Sequence, residues 1–203
     1  MARPDAPSPS AFRALQDVDY NEDAWERDVG GWTIAFSLES SKDDIRDKQI
    51  GLFDNNDNDV CRGTSIFPAD DVKDFNLITI SCYDTLYGFC MFDANYMTVT
   101  VNTICTAQNS FRGTGKFILA LVTKYAHACT NAQVLVIFRP VDKAIPFYEQ
   151  LGFKEPEEHL MRSRVDAMVM SLDDKSDGVH FAPMEEMRGT KRPRSDRLML
   201  LVD

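Results

Sequence analysis

With 203 residues, 44% hydrophobic and 27% charged, the chain is long enough for one sizeable core or two very small ones, and no internal repeat divides it. A formal net charge of −10 argues against a general nucleic-acid binder, whose phosphate contacts need clustered Lys and Arg, and favours cationic partners. No apolar run approaches a membrane span, and the N-terminal ARPDAPSPS lacks the basic start and apolar stretch of a signal peptide, so a protein of the cell interior with no membrane contact is expected.

Residues 1–28, rich in Pro and Asp with one short helical pattern at Ala11 to Leu15, read as a flexible N-terminal arm. From Gly31 the pattern changes: WTIAFSL reads as a strand, and SSKDDIRDKQIGLF as a helix with a Ser cap and Ile45, Gln49 and Leu52 at helical spacing. DNNDND, residues 54–59, invites a calcium-loop reading. It fails because Asp59 stands where the loop needs Gly and Ser65 where it needs Glu, leaving an acidic loop that suits the approach to a site for a cationic substrate.

Three strands in succession are expected over residues 75–106: FNLITISCY, LYGFCMF and YMTVTVNTICT, with turns at the DT and DAN between them. NSFRGTGKFILALVTKYA follows, two glycines at the mouth of a helical pattern that puts Lys116, Thr123, Lys124 and His127 on one face and Ile118, Leu121, Val122 and Tyr125 on the other. A helix N-terminus offers unpaired N–H groups and a partial positive charge, and glycine lets an anion approach them; an ordinary tight turn is the alternative. QVLVIF, 133–138, reads as a buried parallel strand, VDKAIPFYEQLGF as a short helix with Pro146 in its first turn and Gly152 at its end, and DAMVMSL as a last strand. Residues 173–203 read as a flexible C-terminal tail, which leaves 29–172 as one folded domain.

The five cysteines, Cys61, Cys82, Cys90, Cys105 and Cys129, have no Cys-x-x-Cys spacing and read as reduced, buried thiols. His127, His159 and His180 are scattered, so no metal site is expected. A P-loop would need Gly where Ser110 stands and Ser or Thr where Phe117 stands, and a dinucleotide fingerprint would need Gly at Ile118.

Taken in order, the strand, the R-G-x-G loop, the amphipathic helix, the apolar strand and A-x-x-F-Y-E-x-x-G-F (Ala144, Phe147, Tyr148, Glu149, Gly152, Phe153) resemble the GNAT superfamily of acetyl-coenzyme A-dependent N-acetyltransferases over residues 75–172. The resemblance implies an α/β (α+β) fold with a mixed central sheet, an antiparallel N-terminal meander, a β-α-β coenzyme A-binding unit and flanking helices. It implies acetyl-coenzyme A as cosubstrate and a primary amine as acceptor, in a polyamine, a protein lysine or N-terminus, or a small amine; the acidic balance tilts this towards a polycation. The family's loop Gln/Arg-x-x-Gly-x-Gly/Ala fits best with Gly113 and Gly115 as the glycine pair and Ser110 in the first position; the other register, with Arg112 first, puts Phe117 in the last.

In that frame the N–H groups of Phe111, Arg112, Gly113, Thr114, Gly115 and Lys116 would hold the pyrophosphate, with the Arg112 and Lys116 charges beside it. Backbone groups at Ile104, Cys105 and Thr106 would pair with the pantetheine arm. Tyr148 would be the general acid that protonates the departing thiolate, and its plain alternative is a core tyrosine anchoring the helix. No base is legible: TVTVNTICT holds no Asp or Glu, Asn102 could position a water, and Asp84 and Asp93 lie nearby in turns. This gap and the imperfect loop keep a rival open, a catalytically inactive GNAT-fold module that binds acetyl-coenzyme A or a protein.

Lys191, Arg192 and Arg194 in the tail fit a short basic signal read by a nuclear import receptor, so a cytoplasmic protein with a route to the nucleus is one expectation and a solubilising cluster the other. Lys191→Ala with Arg192→Ala should move a fluorescent fusion from nucleus to cytoplasm in eukaryotic cells; an unchanged distribution removes the signal.

Overall fold

In a computed structural model, the described residues are 24–41, 74–83, 85–107, 110–156 and 167–172. The elements in chain order are β1 (Ala24–Val29), β2 (Trp32–Ser41), β3 (Asp74–Cys82), β4 (Thr85–Ala94), β5 (Thr98–Thr106), α1 (Thr114–Cys129), β6 (Val134–Phe138), a 3-10 turn (Asp142–Ala144) leading into α2 (Ile145–Gln150), and β7 (Ala167–Ser171). The helix expected after β2, the DNNDND loop, Asp84, Cys61 and the basic tail lie outside the described residues.

The seven strands form one sheet in the order β1-β2-β3-β4-β5-β6-β7. All neighbours are antiparallel except β5 and β6, which run parallel because α1 carries the chain between them. On the outer side of β7, Lys154 and Val169 exchange both backbone hydrogen bonds, at 2.8 and 2.7 Å, and so extend the sheet by one bridge. This is the mixed α/β sheet expected of a GNAT-like fold, with the antiparallel meander and the single β-α-β unit in place.

Four features depart from expectation. The arm was expected to run to residue 28, yet β1 starts at Ala24. WERDV shows no alternation because Arg27, on the same face as Trp25, is charged and exposed like Glu26 and Asp28, while the Trp25 ring is buried and stacks on Phe36 at 5.8 Å. Second, six consecutive residues of β3 (Phe75–Ile80) and seven of β4 (Leu86–Phe92) are buried, a covering of both faces of the sheet centre that no expectation had named. Third, Thr123 does not join the open face of α1. It is buried, and its hydroxyl donates to the Leu119 carbonyl at 2.9 Å, which leaves Lys116, Lys124 and His127 on the half-open stripe. Fourth, Cys105 is disulfide-bonded, against the expectation of five reduced thiols; Cys82, Cys90 and Cys129 are in no disulfide.

Gly88 fixes how closely α1 approaches the sheet. A β-carbon there would stand 3.0 Å from the Cys105 carbonyl oxygen, 3.3 Å from Ile118 Cδ1 and 3.4 Å from Thr114 Cγ2. The nearest atom is backbone and cannot step aside. Gly88→Val should therefore destabilise by about 1–3 kcal/mol, as overpacking does, and lower Tm by roughly 3–10 °C for a chain of this size; thermal unfolding followed by circular dichroism reads it.

Candidate active site

The head of α1 is closely hydrogen-bonded on one side and open on the other. Ser110 N–H donates to the Ala107 carbonyl (3.0 Å) and Thr114 N–H to that of Phe111 (3.3 Å), which folds the chain into a tight loop. The Thr114 hydroxyl also donates to the Phe111 carbonyl at 2.6 Å, so the Ser110 hydroxyl, 2.6 Å from it, is the donor of that pair. Gly113 precedes the helix at φ +93°, a left-handed conformation that side chains resist. The first helical bond into the loop is Phe117 N–H to the Gly113 carbonyl at 2.9 Å. Among the described residues no acceptor meets the N–H groups of Arg112, Gly113, Gly115 and Lys116. Beneath them Phe111 is buried, its ring edge-on to Trp32 at 4.9 Å and to Phe117 at 6.0 Å. Gly113 and Gly115 thus flank the first residue of the helix, and Ser110 is buried and turned into the loop.

Beside this loop the sheet parts. The β5–β6 pairing ends at Val101↔Ile137, whereas β5 continues to Thr106. Along β5 the ladder to β4 passes from Met91↔Thr103 to Phe92↔Val101, so Asn102 is a β-bulge with no partner residue in β4. Ala107 N–H donates to the Tyr87 carbonyl; by alternation, Cys105 and Thr103 turn their backbone groups to β4, while Ile104 and Thr106 turn theirs to the gap. Of the three backbone positions expected to receive a ligand, two face the opening. Cys105 does not, because its backbone is spent on the β4 ladder and its sulfur on the disulfide.

The gap is a cleft lined by Val101–Ile104, Ile137–Val141 and Tyr148. Pro146 in the first turn of α2 sets the helix that delivers Tyr148, whose ring is edge-on to Phe147 (5.3 Å) and Phe153 (5.9 Å). Tyr148 is 3% exposed, and its hydroxyl has no hydrogen-bond partner among the described residues although it borders the cleft. Burial, with the Cys90 thiol nearby, pushes its phenol well above the ordinary value, so it holds its proton at any working pH.

Of two further cleft residues, Arg139 had no signal in the sequence, and Asn102 was expected only as a residue that could position a water. Arg139 follows β6 at φ +47°, rare for a residue with a side chain, and its guanidinium carbon lies 5.1 Å from the Phe138 ring centre. Asn102 donates from Nδ2 to Asp93 Oδ2 at 2.8 Å, which draws in a carboxylate from β4 rather than from β5. Among the described residues no group of His, Cys, Asp and Glu could hold a metal ion, and no helix is long and apolar enough to cross a membrane.

No family model matches the sequence, and neither does any curated protein. Solved structures do align with the fold. A mutant of SpeG, the spermidine N-acetyltransferase of Vibrio cholerae, is similar at 16% identity with a TM-score of 0.46, over 72% of this chain and 98% of that one. The Salmonella typhimurium protein YncA with its cofactor acetyl-coenzyme A is similar at 18% identity and 0.44, over 75% and 98%. N-acetylglutamate synthase from Neisseria gonorrhoeae, complexed with coenzyme A and N-acetylglutamate, is similar at 12% and 0.47, over 70% of this chain and 35% of that one.

Proposed function

We propose that the protein is an N-acetyltransferase that passes the acetyl group of acetyl-coenzyme A to a primary amine by direct attack in a ternary complex. The observation that carries this is the meeting, along β5, of an open helix head, a parted pair of strands and a tyrosine hydroxyl that has no partner among the described residues. The N–H groups of Arg112, Gly113, Gly115 and Lys116 would take the pyrophosphate, with two side-chain cations beside them. Ile104 and Thr106 would pair with the pantetheine amides as a strand would. Acetyl-coenzyme A supplies the activated acyl group, and the chain's part is to hold it, orient it and donate a proton from Tyr148 towards the departing sulfur.

The acceptor's class beyond a primary amine rests on less. The acidic loop that favoured a polycation is outside the described residues, and Arg139 puts a positive charge on the cleft wall, which disfavours several cations entering there. The test is thiol release from acetyl-coenzyme A by the purified full chain with spermidine, L-glutamate, L-lysine, a lysine peptide and an aminoglycoside. Acetyl transfer to any of them supports the proposal. Calorimetric binding of coenzyme A with no transfer supports the inactive module instead, for which the inward-turned Ser110 is the structural argument, and absence of both removes the two readings together.

A further inference from the structure

The cleft lies where β5 and β6 part, and because consecutive β5 residues line it, both faces of the sheet border it. Gly88 faces α1, since a β-carbon there would meet Thr114 and Ile118. Alternation along β4 then turns Cys90 and Phe92 to α1, consistent with the Phe92–Tyr125 ring contact at 5.2 Å, and turns Asp93 to the opposite face. Tyr148 lies near Cys90, on the α1 side. Asn102, the bulge residue, lines the cleft and reaches Asp93, so its side chain serves the other side. A second, longer contact of the same amide with the Thr100 carbonyl, 3.4 Å, keeps it turned that way.

We infer that Asp93, positioned by Asn102, is the proton acceptor for the incoming amine on the face of the sheet opposite α1. This rests on the acetyl-transfer reading and completes it. An alkyl ammonium has no lone pair, so one N–H bond must break before the C–N bond can form. The electron pair stays on nitrogen, and the proton passes to the Asp93 carboxylate, directly or through one water, and then to solvent. Asp93 Oδ2 is held by the amide, while Oδ1 has no partner among the described residues and is free to receive it. Among the described residues Thr100 lies across from it on β5 and Asn102 on the bulge, and no ion pair to Asp93 exists. Acid and base then stand towards opposite faces of the sheet, Asp93 joined to the cleft through Asn102, one for the leaving sulfur and one for the attacking nitrogen. Asp93 escapes a search of β5 for a carboxylate because it belongs to the neighbouring strand.

The side-chain carboxyl carbon of Asp93, followed by carbon-13 NMR in the full chain, is expected to shift on adding n-butylammonium chloride and not on adding n-butanol. In Asn102→Ala the response should weaken several-fold. No shift, or an equal response at the exposed Asp142, overturns the inference. Calorimetry with coenzyme A in the same samples separates the two failures: bound coenzyme with a silent Asp93 removes only the base, while a responding Asp93 without coenzyme binding removes the acetyl-transfer reading. With whichever amine of the panel is acetylated, Asp93→Asn should lower kcat/KM about 100-fold near neutral pH and recover tenfold per pH unit towards the amine's own pKa, and Asp93→Glu should restore part of the loss. A loss that does not vary with pH marks a structural role and overturns it.

Discussion

Replacing Tyr148 with Phe is expected to lower turnover roughly 100-fold while acetyl-coenzyme A affinity and folding hardly change. The ring keeps its edge-on contacts with Phe147 and Phe153, and no hydrogen bond among the described residues is lost with the hydroxyl. Burial sets the size of the effect. A phenol whose pKa is pushed up is a reluctant acid, so full proton transfer to a thiolate runs uphill, and its main contribution is a charge-assisted hydrogen bond to the sulfur. Such bonds contribute about 1.5–3 kcal/mol, or about 10- to 160-fold in rate. The ratio of the two rates should stay constant with pH up to at least the range where ordinary tyrosines ionise. Equal turnover near neutral pH in a single-turnover measurement, which excludes product release as the limiting step, would sink the assignment.

The same burial has a signed effect on stability. Tyr148 and Cys90 both have pKa values raised above their ordinary 10.0 and 9.0. Each therefore contributes stability that is complete below those ordinary values and is lost as pH rises towards the folded-state ones, because the unfolded chain releases its protons first. Tyr148→Phe removes one of the two groups. Its alkaline unfolding midpoint should accordingly lie above that of the parent chain.

The meander, the β-α-β unit and the short helix that carries Tyr148 were legible because period, turn residues and glycine spacing are local signals. β1 was not, since Glu26, Arg27 and Asp28 make it look like the tail it adjoins, and only Trp25 and the Gly30–Gly31 pair before Trp32 betray a hairpin. The disulfide at Cys105 and the bulge at Asn102 depend on what lies across from them, which no window along the chain contains. Gly88 carried a readable hint, an isolated glycine in an apolar strand, whose meaning needed the position of α1. Asp93 was noticed as a neighbour in sequence, and only the ladder register joins it to the cleft. Arg139, at a strand end, had no local signal at all.

Gly113→Asp should abolish measurable coenzyme A binding in a chain that still folds. Gly113 is the residue before α1, and the open N–H groups of Arg112, Gly113, Gly115 and Lys116 surround it. A carboxylate there competes for those donors and repels the pyrophosphate; at a separation of about 4 Å and an effective dielectric near 20, one such pair of charges costs about 4 kcal/mol, close to a thousandfold in Kd. Backbone strain is the confounding factor, because φ is +93°. Asn shares with Asp a tolerance for left-handed conformations and has nearly the same size, so Gly113→Asn carries the strain without the charge. Calorimetry should find Gly113→Asn within about tenfold of the parent, since its uncharged amide removes the repulsion and leaves steric crowding. Gly113→Asp should fall beyond detection, with the gap narrowing as salt is added, because the repulsion is screened over about 10 Å at 0.1 M. Equal affinity for the two folded variants would mean that the anion does not lie at the head of α1, and the assignment of Arg112, Gly115 and Lys116 would fall with it.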